Sequence, residues 1–192
     1  MLCESQIELF RIPQEVTEGE ALELMTRLPE FRRVKASSYR FARDRFLCAK
    51  AYLMLCDVLR DRFGIRELPL FGYGEHGKPF LAAYPDIHFN LSHCPKAVAC
   101  VVAPYPVGID VEEIQFDEEF ARRVLNDREM RRVLGAASPS VEFTSFWTKK
   151  ESLLKKRGTG LTDDLPGLLE GCAEEFRTTV FEEDGFVMTA AG

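Results

Sequence analysis

The seven residues from Ala97 to Ala103, AVACVVA, are all apolar. A run this short, bounded by Cys94-Pro95 on one side and Pro104 on the other, predicts a strand covered on both faces. A chain that holds such a strand must supply cover for each side. Immediately upstream, Ile87, Phe89 and Leu91 alternate with His88 and Asn90, the two-residue period of a half-buried strand. Ser92 and His93 follow, where a turn at Cys94-Pro95 is expected to expose them. Downstream, Pro104 and Pro106 interrupt the chain before Val107-Gly108-Ile109-Asp110-Val111-Glu112. In that third strand Asp110 and Glu112 are two apart, so both carboxylates leave one face, about 7 Å from each other. Acids gathered beside a Ser-His corner suit a hard cation with phosphate across from it.

The chain has 192 residues, enough for one large domain or two small ones, and its 46% hydrophobic content supports a real core. Its net charge of −6 argues against bulk nucleic-acid binding. The first residues carry acids at positions 4 and 8 and no basic-then-apolar run, so no secretory signal is expected there. No stretch reaches the roughly eighteen uninterrupted apolar residues of a membrane span. Cys3, Cys48, Cys56, Cys94, Cys100 and Cys172 show no paired zinc-type spacing and lie mostly in apolar segments, as reduced core thiols do. Together these features predict a cytoplasmic protein.

Ile7 to Ile12 predicts a short edge strand ended by Pro13. Glu18 to Leu28 has helical spacing and stops at Pro29. A long central helix is predicted from about Tyr39 to Phe63, capped by Ser37 or Ser38 and terminated by Gly64. Arg40, Arg43 and Arg45 crowd its first turns, the unfavourable end for cations, unless an anion lies opposite. Leu68 to Tyr73 predicts a strand, followed by the glycine-rich loop Gly72 to Pro79. Beyond the acidic strand, Asp117 to Leu134 is amphipathic, with Leu134 inward and a break at Asn126-Asp127. Val141 to Lys156 predicts the third long helix, capped by Ser138 or Ser140 and ended by Gly158. The tail closes in a hairpin around Asp184-Gly185.

The fold class is thus α/β in the α+β sense, with two halves, 1–104 and 105–192. Each half pairs a long helix with antiparallel strands. On the third long helix, Trp147, Glu151 and Lys155 recur at four-residue spacing and share one face, with Lys150 beside them. Taken alone this is also the pattern of a core Trp flanked by a surface ion pair. Combined with Asp110 and Glu112 it gives three acids and two lysines, a set that fits magnesium and phosphate.

Gly77-Lys78-Pro79, Phe89-Asn90-Leu91-Ser92-His93, Gly108-Ile109-Asp110-Val111-Glu112 and Phe146-Trp147-Thr148-Lys149-Lys150-Glu151-Ser152-Leu153-Leu154-Lys155 resemble, in order and spacing, the surfactin-type 4′-phosphopantetheinyl transferases. Gly158-Thr159-Gly160-Leu161 extends the likeness. The resemblance implies two similar α/β halves forming a pseudo-dimer within a monomer, with coenzyme A in the cleft between them. It implies that Asp110, Glu112 and Glu151 hold magnesium, and that Lys150 and Lys155 face the coenzyme A pyrophosphate. Ser92, His93 and Arg45 would meet the 3′-phosphate, and Lys78 and Pro79 would line the adenine side. Glu129 resembles a further acid beside the site. The implied partner is an acyl or peptidyl carrier protein, with no nucleic acid and no membrane, and Arg32, Arg33, Arg40 and Arg43 are candidates for docking it.

The implied reaction is phosphoryl transfer, in which a carrier serine attacks the β-phosphate of coenzyme A and 3′,5′-ADP leaves. Glu151 is the expected proton acceptor, directly or through water, with Asp110, Glu112 and Lys155 completing the catalytic set. Two other readings use the same residues: an inactive module that binds coenzyme A or a carrier protein, and a magnesium-dependent nucleotide phosphodiesterase.

Overall fold

The seven apolar residues of β5 (Ala97–Ala103) are all buried, and the strand lies in the middle of a three-stranded antiparallel sheet. Its neighbours are β1 (Gln6–Arg11), an edge strand as expected, and β4 (His88–Cys94). The computed structural model describes residue 2, residues 5–160 and residues 164–192. The two-residue period of β5 divides its side chains between two cores. Val98, Cys100 and Val102 pack against Leu47, Ala51, Leu55 and Leu59 of the long helix α3 (Ala42–Phe63). Ala97, Ala99, Val101 and Ala103 face Ile109, Val111, Phe186, Met188 and Ala190 of a second sheet. A strand with a helix on one face and a sheet on the other has no solvent side, which is why its sequence has no alternation.

The second sheet is also three-stranded and antiparallel, in the order β6 (Gly108–Glu113), β8 (Phe186–Ala191), β7 (Phe176–Phe181). The turn between β7 and β8 falls at Asp184-Gly185, where Gly185 takes φ 74°. The helix α6 (Pro139–Arg157) packs on β6 and β8 and ends at Gly158 in the left-handed region. The helices α4 (Glu118–Val124) and α5 (Asp127–Gly135) are separated at Asn126, as expected, and Asn126 caps α5 reciprocally with Glu129. Leu134 does not point inward; it is exposed. A small hairpin, β2 (Phe71–Tyr73) with β3 (Pro79–Leu81), carries the glycine-rich loop at its tip.

The start of α3 differs from the expectation. Ser37 and Ser38 belong to the end of a separate helix, α2 (Glu30–Ser37), and α3 begins after Phe41 with no side-chain cap. This α2, like α1 (Glu18–Thr26), packs on α3 around Cys48, Ala49, Tyr52 and Leu53. The few apolar residues of α2 gave no helical stripe, because its buried face includes an arginine. Arg32 is buried with its guanidinium 5.3 Å from the Tyr52 ring and 5.5 Å from Phe71. It therefore cannot serve as a docking residue.

Cys48, Cys56, Cys94, Cys100 and Cys172 are free thiols. Cys3 and Leu161, both cited in the sequence reading, lie outside the described residues. Among the described residues no helix is long and apolar enough to cross a membrane.

Candidate active site

Strand β6 and helix α6 touch backbone to backbone at Gly108. A Cβ there would lie 1.9 Å from the Ser152 carbonyl oxygen and 2.4 Å from the Lys156 amide nitrogen. Only glycine permits this approach. It brings the Glu151–Lys155 face of α6 over the acidic face of β6.

Asp110 is the centre of what results. It is 1% exposed, and its Oδ1 receives the Lys155 ammonium at 2.5 Å and the Ser92 hydroxyl at 3.0 Å. The Lys155 ammonium also donates to Ser92 Oγ at 3.0 Å, and the same oxygen accepts the Val111 amide at 3.3 Å. Ser92 is thus buried and engaged inside the cluster, and the expected exposure at the Cys94-Pro95 turn applies to His93 alone. The other oxygen of Asp110, Oδ2, is buried with no hydrogen-bond partner among the described residues.

Glu112 and Glu151 join this cluster electrostatically. Burial pushes the Glu112 carboxyl up to about 7, and the charges of Asp110 and Glu151 add to the rise. Lys155 and a hydrogen bond from Trp147 act against it. Burial, then Asp110, also raises Glu151, again opposed by Lys155. Three carboxylates therefore share one lysine and repel one another.

Beside Lys155 opens a cavity of about 280 Å³ whose walls include Lys78, Pro79, Asn90, Glu151, Lys155 and Gly158. Lys78 reaches across it from the β2–β3 hairpin and donates to the carbonyls of Lys156 at 2.7 Å and Val107 at 3.1 Å. Burial, with Lys156 nearby, pulls its pKa down to about 8. A second hollow of about 580 Å³ also has Lys78 in its wall, with Phe80, His88, Pro106 and Arg157. His93 is exposed, yet the protein around it removes enough water to lower its pKa, helped by the charge of Lys155.

Some expected residues lie elsewhere. Lys150 is fully buried and pairs with Glu129 at 2.8 Å, donating also to the carbonyls of Leu165 (2.7 Å) and Pro166 (3.1 Å). The two residues hold α5, α6 and the following segment together. Arg45 pairs with Glu18 and donates to the Tyr39 and Arg40 carbonyls at 2.8 and 2.9 Å. Arg43 binds the carbonyls of Pro95, Pro13 and Gln14. Asn90 escaped notice: it is buried, and its Oδ1 accepts the Ile109 amide at 2.9 Å. Its two-residue spacing from Ser92, matching that of Ile109 from Val111, was the available signal.

Among the described residues no three His, Cys, Asp or Glu side chains are already arranged to hold a metal ion. The donor set nevertheless suits a hard divalent cation. Its atoms are carboxylate oxygens, and one of them, Asp110 Oδ2, is buried and unpartnered.

Residues 106–181 match the family described as the 4′-phosphopantetheinyl transferase superfamily. The matched segment contains Asp110, Glu112, Glu151 and Lys155, so the resemblance read from the motifs is borne out. The chain is 38% identical over 96 residues to a 4′-phosphopantetheinyl transferase of Bacillus subtilis, an alignment covering 48% of this chain and 42% of that protein. It is 39% identical over 95 residues to the 4′-phosphopantetheinyl transferase gsp of Aneurinibacillus migulanus, covering 48% and 39%. It is 28% identical over 170 residues to the 4′-phosphopantetheinyl transferase HetI of Nostoc sp., covering 83% and 72%. The chain thus spans under half the length of the first two superfamily relatives.

Proposed function

We propose that this protein transfers the 4′-phosphopantetheine arm of coenzyme A to a serine of an apo acyl or peptidyl carrier protein, in a magnesium-dependent reaction that releases 3′,5′-ADP. The observation that carries this reading is the convergence of Asp110, Glu112, Glu151 and Lys155 beside a cleft whose wall includes Lys78 and Pro79. Binding, by itself, does not call for three mutually repelling carboxylates next to a lysine.

In this reading residues 1–104 and 105–192 are two similar halves of a monomeric pseudo-dimer. Each contributes a three-stranded antiparallel sheet and a long helix, α3 or α6. Free thiols are in keeping with a cytoplasmic setting.

Asp110, Glu112 and Glu151 would hold magnesium, which when bound supplies positive charge against the pyrophosphate. Lys155, at the cavity wall, faces the transferring phosphate, and Lys78 with Pro79 borders the nucleotide. His93 would meet the 3′-phosphate. The serine oxygen forms a bond to the β-phosphorus as the bond to the bridging oxygen breaks, and the leaving group is 3′,5′-ADP. Glu151, whose carboxylate borders the cavity, accepts the serine proton directly or through water.

The test is intact-mass spectrometry of an apo carrier protein incubated with this protein, coenzyme A and magnesium. A gain of one phosphopantetheine, blocked by EDTA and by a Ser→Ala carrier, is expected. Release of 3′,5′-ADP without any carrier would instead make the protein a hydrolase.

A further inference from the structure

Asp110 is almost wholly buried, and a bare carboxylate in such a place is strongly unfavourable. The structure answers with Lys155, whose ammonium is 2.5 Å from Asp110 Oδ1 and 3.0 Å from Ser92 Oγ. Lys155 is four residues after Glu151 and its side chain is 29% exposed, so it sits at the cavity side of the cluster with room to move.

We propose that Lys155 and a divalent cation are alternative occupants of the Asp110 carboxylate. The ammonium is held on Asp110 Oδ1, and it withdraws toward the cavity when the metal binds. This rests on the metal reading proposed above. Two cations against one carboxylate, the ammonium on Oδ1 and a metal at the unpartnered Oδ2, repel each other strongly at this depth. Lys155 therefore weakens metal binding in the free protein, although the same side chain is suited to hold phosphate once it swings out. A phosphate in the cavity draws Lys155 off Asp110, so ligand and metal favour each other's binding through one side chain. Ser92 defines the resident position, because it bonds Asp110 and Lys155 together.

The experiment is a manganese titration, read by electron paramagnetic resonance without coenzyme A, of the wild-type protein, Lys155→Met and Lys155→Arg, with circular dichroism to check folding. Lys155→Met is expected to bind manganese about tenfold more tightly than wild type, and Lys155→Arg no more tightly. A second measurement needs no variant. Labelling of the Lys155 amine in the wild type by an acylating reagent, mapped by mass against Lys149, is expected to rise several-fold when manganese saturates. Equal or weaker manganese binding by Lys155→Met, or labelling that ignores manganese, would overturn the inference and leave the metal reading standing. No manganese binding by any of the three proteins would overturn both.

Discussion

Asn90 Oδ1 accepts the Ile109 amide at 2.9 Å, so a side chain of β4 does for β6 what a neighbouring strand would otherwise do. Ser92 repeats the device two residues on, accepting the Val111 amide at 3.3 Å. These two rungs join the edges of two separate sheets at the floor of the site. Replacing Asn90 by Leu leaves a buried N–H unpaired. Urea denaturation is expected to show a loss of about 1–3 kcal/mol. An unchanged midpoint would mean that the Ile109 amide finds another acceptor.

Gly108→Ala introduces a methyl group into the space of the Ser152 carbonyl and the Lys156 amide. Backbone cannot yield as a side-chain tip does, so α6 must shift. A stability loss of about 1–3 kcal/mol or more is expected, with carrier modification falling further than the folded fraction does. Parallel denaturation and transfer assays check the two effects.

Lys150→Met strands the buried Glu129 carboxylate. A loss of about 3–5 kcal/mol is expected by denaturant unfolding. The double variant Lys150→Met with Glu129→Met is expected to be more stable than Lys150→Met alone. In conditions where the single variant stays folded, calorimetry should give wild-type affinity for coenzyme A. A large drop in affinity would return Lys150 to the phosphate site.

Lys78 gives a pH signature. Its folded pKa is about 8, against an ordinary 10.5, because burial disfavours the ammonium. Below about 8 both states are charged and the penalty is full. Between about 8 and 10.5 the unfolded chain holds a proton that the folded protein releases, so this contribution to stability rises with pH. Compared with Lys78→Met, the wild type should therefore gain stability from pH 7.5 to pH 9.5 in urea titrations. A flat difference would mean that the Lys78 amine titrates at its ordinary value.

Asp110→Ala removes the carboxylate that engages both Lys155 and Ser92. Carrier modification is expected to fall by about a thousandfold or more. Near-normal turnover at ordinary magnesium concentrations would sink the assignment of Asp110 as a metal ligand.

Local pattern was enough for much of this protein. The apolar run of β5, the alternation in β4, the Asp-Gly turn before β8 and the glycine that ends α6 are each decided within a few residues of chain. So are the shared face of Asp110 and Glu112 on a strand, and of Glu151 and Lys155 on a helix. The roles of charged side chains were another matter. Lys150 and Lys155 sit five residues apart on one helix, yet one is buried against Glu129 and the other borders the cavity. Arg32 and Arg43 read as docking residues and Arg45 as a 3′-phosphate contact, and they are instead spent on an aromatic pair, three carbonyls and Glu18 with two further carbonyls. The sequence alone determined which residue types share a face, because helix and strand periods are properties of the backbone. Only the tertiary structure decided which faces meet, and with that the partner of each charge, because desolvation and pairing depend on segments distant in the chain. Ser92 and Asp110 are 18 residues apart, and Asp110 and Lys155 are 45 apart. They come together because Gly108 lets a helix approach a strand closely enough to place all three in contact.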